Sequence, residues 1–156
     1  MIIKEEFVRL AQTNMDAVFR LAYSYLKNRS DADDITQIVL LRLLETNTVF
    51  ENDAHVKNWL LCVAANECKK HWRSPWSKVE CLDDYSDTLT FEEPQYSDLF
   101  QAIMDLEQKY RVVIVLYYYE GYAIKEIAKI LRIPQGTVGT RLSRARDQLK
   151  QYLQGE

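Results

Sequence analysis

Between Ile124 and Leu149, apolar residues recur at helical spacing on both sides of a three-residue break. Before the break, Ile124, Ile127, Ala128 and Leu131 mark the inner face of a short helix. After it, Val138, Leu142, Ala145 and Leu149 fall at i, i+4, i+7 and i+11 and mark one face of a longer helix. Arg132-Ile133-Pro134 is the tight connection between them. Few chains fold such a pattern other than as a helix-turn-helix, with the first helix supporting and the second open to a major groove.

The rest of the 156-residue chain agrees with an all-α fold. It contains only 4 Gly and 3 Pro, and its apolar residues recur mostly every three or four positions. Phe7, Leu10, Val18, Ala22, Tyr25 and Leu26 predict one long or broken helix, and Asn28-Arg29-Ser30 interrupts the pattern. Ser30 is the expected N-cap of the next helix, with Asp31, Asp33 and Asp34 in its first turn. In that helix, DADDITQIVLLRLLE, Ile35, Ile38, Val39 and Arg42 share one face. Leu40, Leu41 and Leu44 lie on the other, beside Asp33 and Gln37. A helix apolar on both faces either packs on two sides or docks on a partner. A third helix, AHVKNWLLCVAANECKKHWR, carries Val56, Trp59, Leu60 and Val63 as its expected inner stripe. Asn66, Lys69, Lys70 and Arg73 line up along a second stripe, suited to phosphate contact or solvated as an ordinary charged face.

Charge is distributed in blocks. The net charge is −3 overall, but it is 0 over residues 1–73, −6 over 74–100 and +3 over 101–156. Residues 74–98 show no sustained period, contain Pro75 and Pro94, and are rich in acid; they read as a linker. The expected organisation is therefore two small helical domains, 1–73 and 99–156, joined by an acidic linker. From Gly121 to Gly155 there are 7 basic and 2 acidic residues. On the last helix Thr137, Thr140, Arg141 and Arg144 occupy one outward flank, with Gln135 in its first turn, and Ser143, Arg146 and Lys150 occupy another. Guanidinium groups there can grip phosphates or the guanine edge; the plain alternative is a solvated amphipathic helix.

Other chemistry finds little support. The three cysteines, Cys62, Cys68 and Cys81, lack paired spacing, so reduced thiols are expected. Cys68 and His71 have no second ligand pair at zinc-site spacing. No nucleophile elbow or phosphate loop occurs, so neither an enzyme nor a cofactor is expected. No apolar run approaches a membrane span and the N-terminal residues do not resemble a secretory signal, so a cytosolic protein is expected.

With these residues in view, the chain resembles the bacterial RNA polymerase sigma factors, closest to the two-domain extracytoplasmic-function (ECF) type of the sigma-70 family. The likeness rests on DADDITQIVLLRL, the aromatic loop at Phe50 with WLLCVAANECKKHWR, and YYYEGYAIKEIAKILRIPQGTVGTRLSRARDQL. It implies that the helix from Asp31 to Glu45 docks on the clamp helices of the polymerase's largest subunit, with Asp33, Asp34, Gln37 and Leu41 as contacts. It implies that the loop FENDAHVKN receives an unstacked promoter base, with Asn52, Asp53 and His55 aimed at its edge. Asn66, Lys69, Lys70 and Arg73 would hold the minus-ten element. Gln135, Thr137, Thr140, Arg141, Arg144 and Arg146 would read the minus-thirty-five element. The implied partners are core polymerase, promoter DNA and, commonly in this family, an anti-sigma factor. The competing reading is a stand-alone helix-turn-helix regulator, which accounts for the C-terminal domain alone.

Four sites depart from the family's habit, one of them Leu106-Glu107, which lacks the usual proline. Ala123 stands where a Ser or Thr N-cap is usual, with its capping-box partner Glu126 retained. Arg132 replaces the usual turn glycine, at a cost of about 1 kcal/mol if the backbone takes positive φ. Gly139 replaces a basic residue of the last helix and costs about 1 kcal/mol in helix propensity.

Overall fold

A computed structural model describes residues 2–73 and 97–154, less the side chains of Trp72, Arg73 and Ser97. The chain divides into two compact units, Met1–Asp84 and Tyr85–Glu156, and the described residues form helices and no strands. Of the segment read as a linker, only Ser97 and Asp98 are described, and they open a helix.

Three helices build the first unit: α1 (Lys4–Leu26), α2 (Arg29–Glu45) and α3 (Asp53–Arg73). Each packs on the other two. The N-terminal pattern resolves into a single long helix, with Leu10, Ala17, Val18, Leu21, Ala22 and Tyr25 buried. α1 ends on Lys27, whose backbone is left-handed (φ 52°) and whose N–H donates to the Tyr23 carbonyl at 2.8 Å. This turn moves the next helix start earlier than expected. Asn28, not Ser30, is the N-cap: its Oδ1 accepts from the Asp31 N–H at 2.8 Å. Asparagine caps as well as serine, and capping at 28 leaves only Asp31 in the first turn. Asp33 and Asp34 therefore lie beyond it.

The α2 core face is Ala32, Ile35, Thr36, Val39 and Leu43. On α3 the buried stripe is Val56, Leu60, Leu61, Ala64, Ala65 and Cys68. The expected members Trp59 and Val63 sit half-buried at its edge. The small side chains of Ala64, Ala65 and Cys68 complete the buried stripe, and the indole lies outside it. Burial in this apolar stripe pushes the Cys68 thiol well above its usual pKa, so it stays protonated. Arg42, expected on the inner face, carries its head outward to Glu67 at 2.6 Å and ties α2 to α3.

The second unit contains α4 (Ser97–Met104), α5 (Gln108–Ile114), α6 (Ile124–Leu131) and α7 (Gln135–Gln154). α5 runs directly into a π turn, Val115–Tyr119. The buried Arg111 guanidinium, 6% exposed, donates to the Leu106 carbonyl at 2.8 Å and so fastens the α4–α5 turn. Gly121 stops the π turn with φ +74°, and the Tyr122 N–H reaches back to the Leu116 carbonyl at 3.1 Å. Glu126 accepts from the Ala123 N–H at 2.9 Å, so half of a capping box survives without a side-chain cap.

The helix-turn-helix forms as the spacing predicts. α6 buries Ile127, Ala128, Ile130 and Leu131; α7 buries Val138, Leu142 and Ala145, with Leu149 half-buried. Arg132 takes the left-handed conformation, φ 59° and ψ 47°. A Cβ added at Gly139 meets nothing within 4 Å. Gly139→Ala should therefore stabilise the protein by about 1 kcal/mol, and Arg132→Gly by up to about 1 kcal/mol. Urea unfolding followed by far-ultraviolet dichroism checks both; a lower midpoint in either variant would contradict the local account.

Candidate nucleic-acid and protein interfaces

The face of a helix that its own core leaves uncovered decides what the helix can do. On α7 the core takes Val138, Leu142 and Ala145. Thr140 and Arg144 are exposed on the far side, and Thr137 and Arg141 are half-buried at its edge. Gln135 is exposed in the first turn. Together these form a strip of hydroxyl, amide and guanidinium donors on a helix whose other flank is anchored, the arrangement a major groove accepts. Arg146 does not join that strip. Its Nε donates to the Tyr118 hydroxyl at 2.8 Å, and its guanidinium lies 5.1 Å from the Tyr117 ring centre and 5.7 Å from that of Tyr118. Those contacts, the Tyr118 hydrogen bond first, hold the guanidinium more firmly charged than usual.

On α2 the second apolar flank is open to solvent. Leu41 is 56% exposed, Leu44 38% and Ile38 36%, with Asp33, Asp34 and Gln37 exposed beside them. Ile38 belongs with this flank and not with the core, while Leu40, expected here, is half-buried. The flank is thus Ile38-Leu41-Leu44 bordered by carboxylates and an amide. An exposed apolar strip of this kind on a helix otherwise committed to a core is a candidate docking surface.

The loop before α3 is fixed by its own polar groups. Asn52 caps α3, its Oδ1 accepting from the His55 N–H at 2.8 Å. His55 returns the favour through Nδ1, which accepts from the Glu51 N–H at 3.1 Å. Phe50 sets its ring edge-on to His55 (5.1 Å) and Trp59 (5.5 Å). Asp53 is gripped from α1: the Arg9 Nη1 and Nη2 donate to its two oxygens at 2.9 and 3.0 Å. Arg9 also holds Glu6 at 2.6 Å, and it keeps both carboxyls below their ordinary pKa. Beneath this arrangement lies a cavity of about 350 Å³ lined by Leu10, Phe50 and Val56, with Glu51, Asn52 and Asp53 at its polar side.

Asn52 and Asp53 therefore lie at one opening, His55 stands behind them against Phe50 without lining it, and each of the three also has a structural partner. The α3 stripe is a row of Asn66, Lys69 and Lys70, with Lys70 Nζ 3.4 Å from Glu67; the Arg73 side chain lies outside the described residues. Sequence reasoning missed Arg9, whose partner is 44 positions away. Among the described residues no three potential metal ligands cluster, and His71 Nε2 instead sits 3.3 Å from an Asp31 oxygen. No described helix is long and apolar enough to cross a membrane.

The two units coincide with two recognised sequence families. Residues 10–78 match sigma-70 region 2, and residues 97–149 match sigma-70 region 4. The chain belongs to the sigma-70 family of RNA polymerase sigma factors, in its ECF class. It is 32% identical to RNA polymerase sigma factor SigV of Bacillus subtilis over 81% of this chain and 78% of that one. It is 30% identical to the ECF sigma factor SigW of the same organism, over 96% and 90%. The same fold occurs in the sigma factor RpoE of Bartonella quintana, solved with the anti-sigma factor NepR. That match has TM-score 0.69 and 23% identity over 97% of this chain and 96% of that one. CnrH, solved with the cytosolic domain of CnrY, gives TM-score 0.71 and 21% identity over 99% and 91%. In this sigma factor, α2 and α3 belong to region 2 and the helix-turn-helix to region 4.

The Arg9 clamp has a signed pH dependence. Because Glu6 and Asp53 have depressed pKa values in the folded chain, their contribution to stability is present above the ordinary carboxylate range. It is lost as the pH falls through the depressed values. Arg9→Gln should thus be less stable than the parent at neutral pH, the difference beginning to shrink as the pH enters the ordinary carboxylate range and vanishing only below the depressed values. Carboxyl NMR should find Asp53 in the variant back near its ordinary pKa; an Asp53 still depressed there would show that Arg9 is not the cause.

Proposed function

We propose that this sigma factor, which directs core RNA polymerase to promoters, divides that work between two faces. The α2 flank of Ile38, Leu41 and Leu44, with Asp33, Asp34 and Gln37 around it, docks on the clamp helices of the largest polymerase subunit. The opening above α3 receives an unstacked base, with Asn52 at its edge, His55 behind it and Asp53 held in place by Arg9. Asn66, Lys69, Lys70 and Arg73 hold the backbone of the minus-ten element. The strip Gln135, Thr137, Thr140, Arg141 and Arg144 reads the minus-thirty-five element as intact duplex. Residues 1–73 and 99–156 act as the two working domains, and 74–98 as the acidic connection between them. The protein acts as a non-enzymatic subunit in the cytoplasm, and its open apolar flank suits an antagonist of the anti-sigma kind seen in the related complexes.

The observation that carries this reading is the exposure of Leu41 on a helix whose opposite flank is core. A stand-alone regulator has no use for it. Leu41→Asp should weaken co-elution with core polymerase at least about tenfold, the scale of an interface hot spot. It should leave helicity unchanged, since the residue touches solvent. Arg141→Ala and Arg144→Ala should co-elute normally yet lose promoter-dependent initiation. Tight duplex binding by the chain alone, unaffected by Leu41→Asp, would instead favour the regulator.

A further inference from the structure

Arg144 and Arg146 are two residues apart on one helix, so their side chains leave it about 200° apart. They cannot both face one groove wall. Arg144 belongs to the outward strip, whereas Arg146 lies at the border of the core, against the π turn that ends α5. In that turn the wider winding of Val115–Tyr119 brings the consecutive rings of Tyr117 and Tyr118 together, centres 4.9 Å apart and edge to face. Both rings meet the Arg146 guanidinium. Beside this contact runs an apolar groove of about 420 Å³ between Leu99, Ile103, Ile114 and Leu149, with Arg146 and Tyr118 on its rim. α7 packs on α5 through its core face, but on the side of this groove its apolar surface stays uncovered, and there the Arg146 contact bridges α7 and the π turn.

The geometry points to Arg146 as a positioning residue: a strut between the π turn and α7 that sets the angle at which Thr140, Arg141 and Arg144 meet duplex DNA, and not itself a phosphate contact. Its planar head suits the task, since it stacks on the rings while Nε holds the Tyr118 hydroxyl. The inference rests on α7 being the helix that reads the upstream element, and it corrects the sequence-level assignment of Arg146 to that contact set.

Salt dependence separates a strut from a phosphate contact. The probe is a promoter duplex recovered from a randomised library by the reconstituted holoenzyme, and affinity is measured across a salt series. Arg144→Ala should weaken binding and flatten the salt slope by about one. Arg146→Ala should weaken binding about fivefold with the slope unchanged. Tyr118→Phe should weaken it in the same direction, and adding it to Arg146→Ala should cost nothing more, because both remove one contact. A slope flattened by about one in Arg146→Ala, or losses that simply add in the double variant, would overturn the strut. If Arg146→Ala does not fold, Tyr118→Phe carries the test: loss of affinity at constant slope supports the strut, and full affinity refutes it. An unchanged slope in Arg144→Ala would strike the reading of α7 itself. The strut would then be decided by whether residues 118 and 146 are coupled in thermal unfolding of the full chain.

Discussion

Burial of a single flank on each working helix is the constraint on which the rest depends. Val39 and Leu43 anchor α2, and Val138 and Leu142 anchor α7, all of them wholly enclosed. Each such side chain contributes about 1.5–3 kcal/mol, more than any surface contact on the same helix. The core therefore decides which flank of each helix faces outward, while contacts at the margin can still tune its tilt. Leucines are left on the outer side of α2, and guanidinium groups on that of α7. Both flanks are largely open to solvent, which is what the proposed contacts require.

The region 4 unit carries several local costs beside this packing. Arg132 adopts a left-handed backbone, Ala123 offers no capping oxygen, Gly139 weakens the middle of α7, and the end of α5 is wound as a π turn. Each of the first three is on the order of 1 kcal/mol, so together they compare with the burial of one or two core side chains. The unit holds its shape because Ile127, Leu131, Val138 and Leu142 form one continuous core across the turn. Contacts such as Arg111 to the Leu106 carbonyl fasten the connections at its margins. In the region 2 unit the corresponding margin is the Arg9 clamp, which pins the first residue of α3 to α1 and so steadies the rim of the cavity beneath Phe50.

Much of this was legible in the sequence, for identifiable reasons. The helix-turn-helix could be read because its apolar positions keep strict helical spacing on both sides of Arg132-Ile133-Pro134. The left-handed turn was suggested only by the resemblance, which puts a glycine where Arg132 stands, and the backbone there does take positive φ. The second apolar flank of α2 could be read from leucines spaced too widely around the helix to share one face, but whether it is buried or open could not, and Ile38 and Leu40 exchange sides. What could not be read depends on distant partners or on competing local signals. Asn28 and Ser30 are both good caps, and only the left-handed Lys27 decides between them. Trp59 outranks Ala64 and Cys68 in apolar area, yet the small side chains are the ones buried. Spacing put Arg146 on a different flank from Arg141 and Arg144, but its contact with the tyrosines of a π turn, Tyr118 lying 28 positions away, could not be read from the sequence. The acidic segment 74–96 lies outside the described residues.

The central claim is that one flank meets the polymerase and the other meets DNA. Hydroxyl-radical footprinting of the full chain tests it most directly, comparing the chain alone, with core polymerase, and with core polymerase and promoter. The account requires Ile38, Leu41 and Leu44 to become protected when core polymerase is added, and the segment Gln135–Arg144 only when promoter DNA follows. Leucines equally reactive in all three states, or α7 fully protected before any DNA is present, would contradict it.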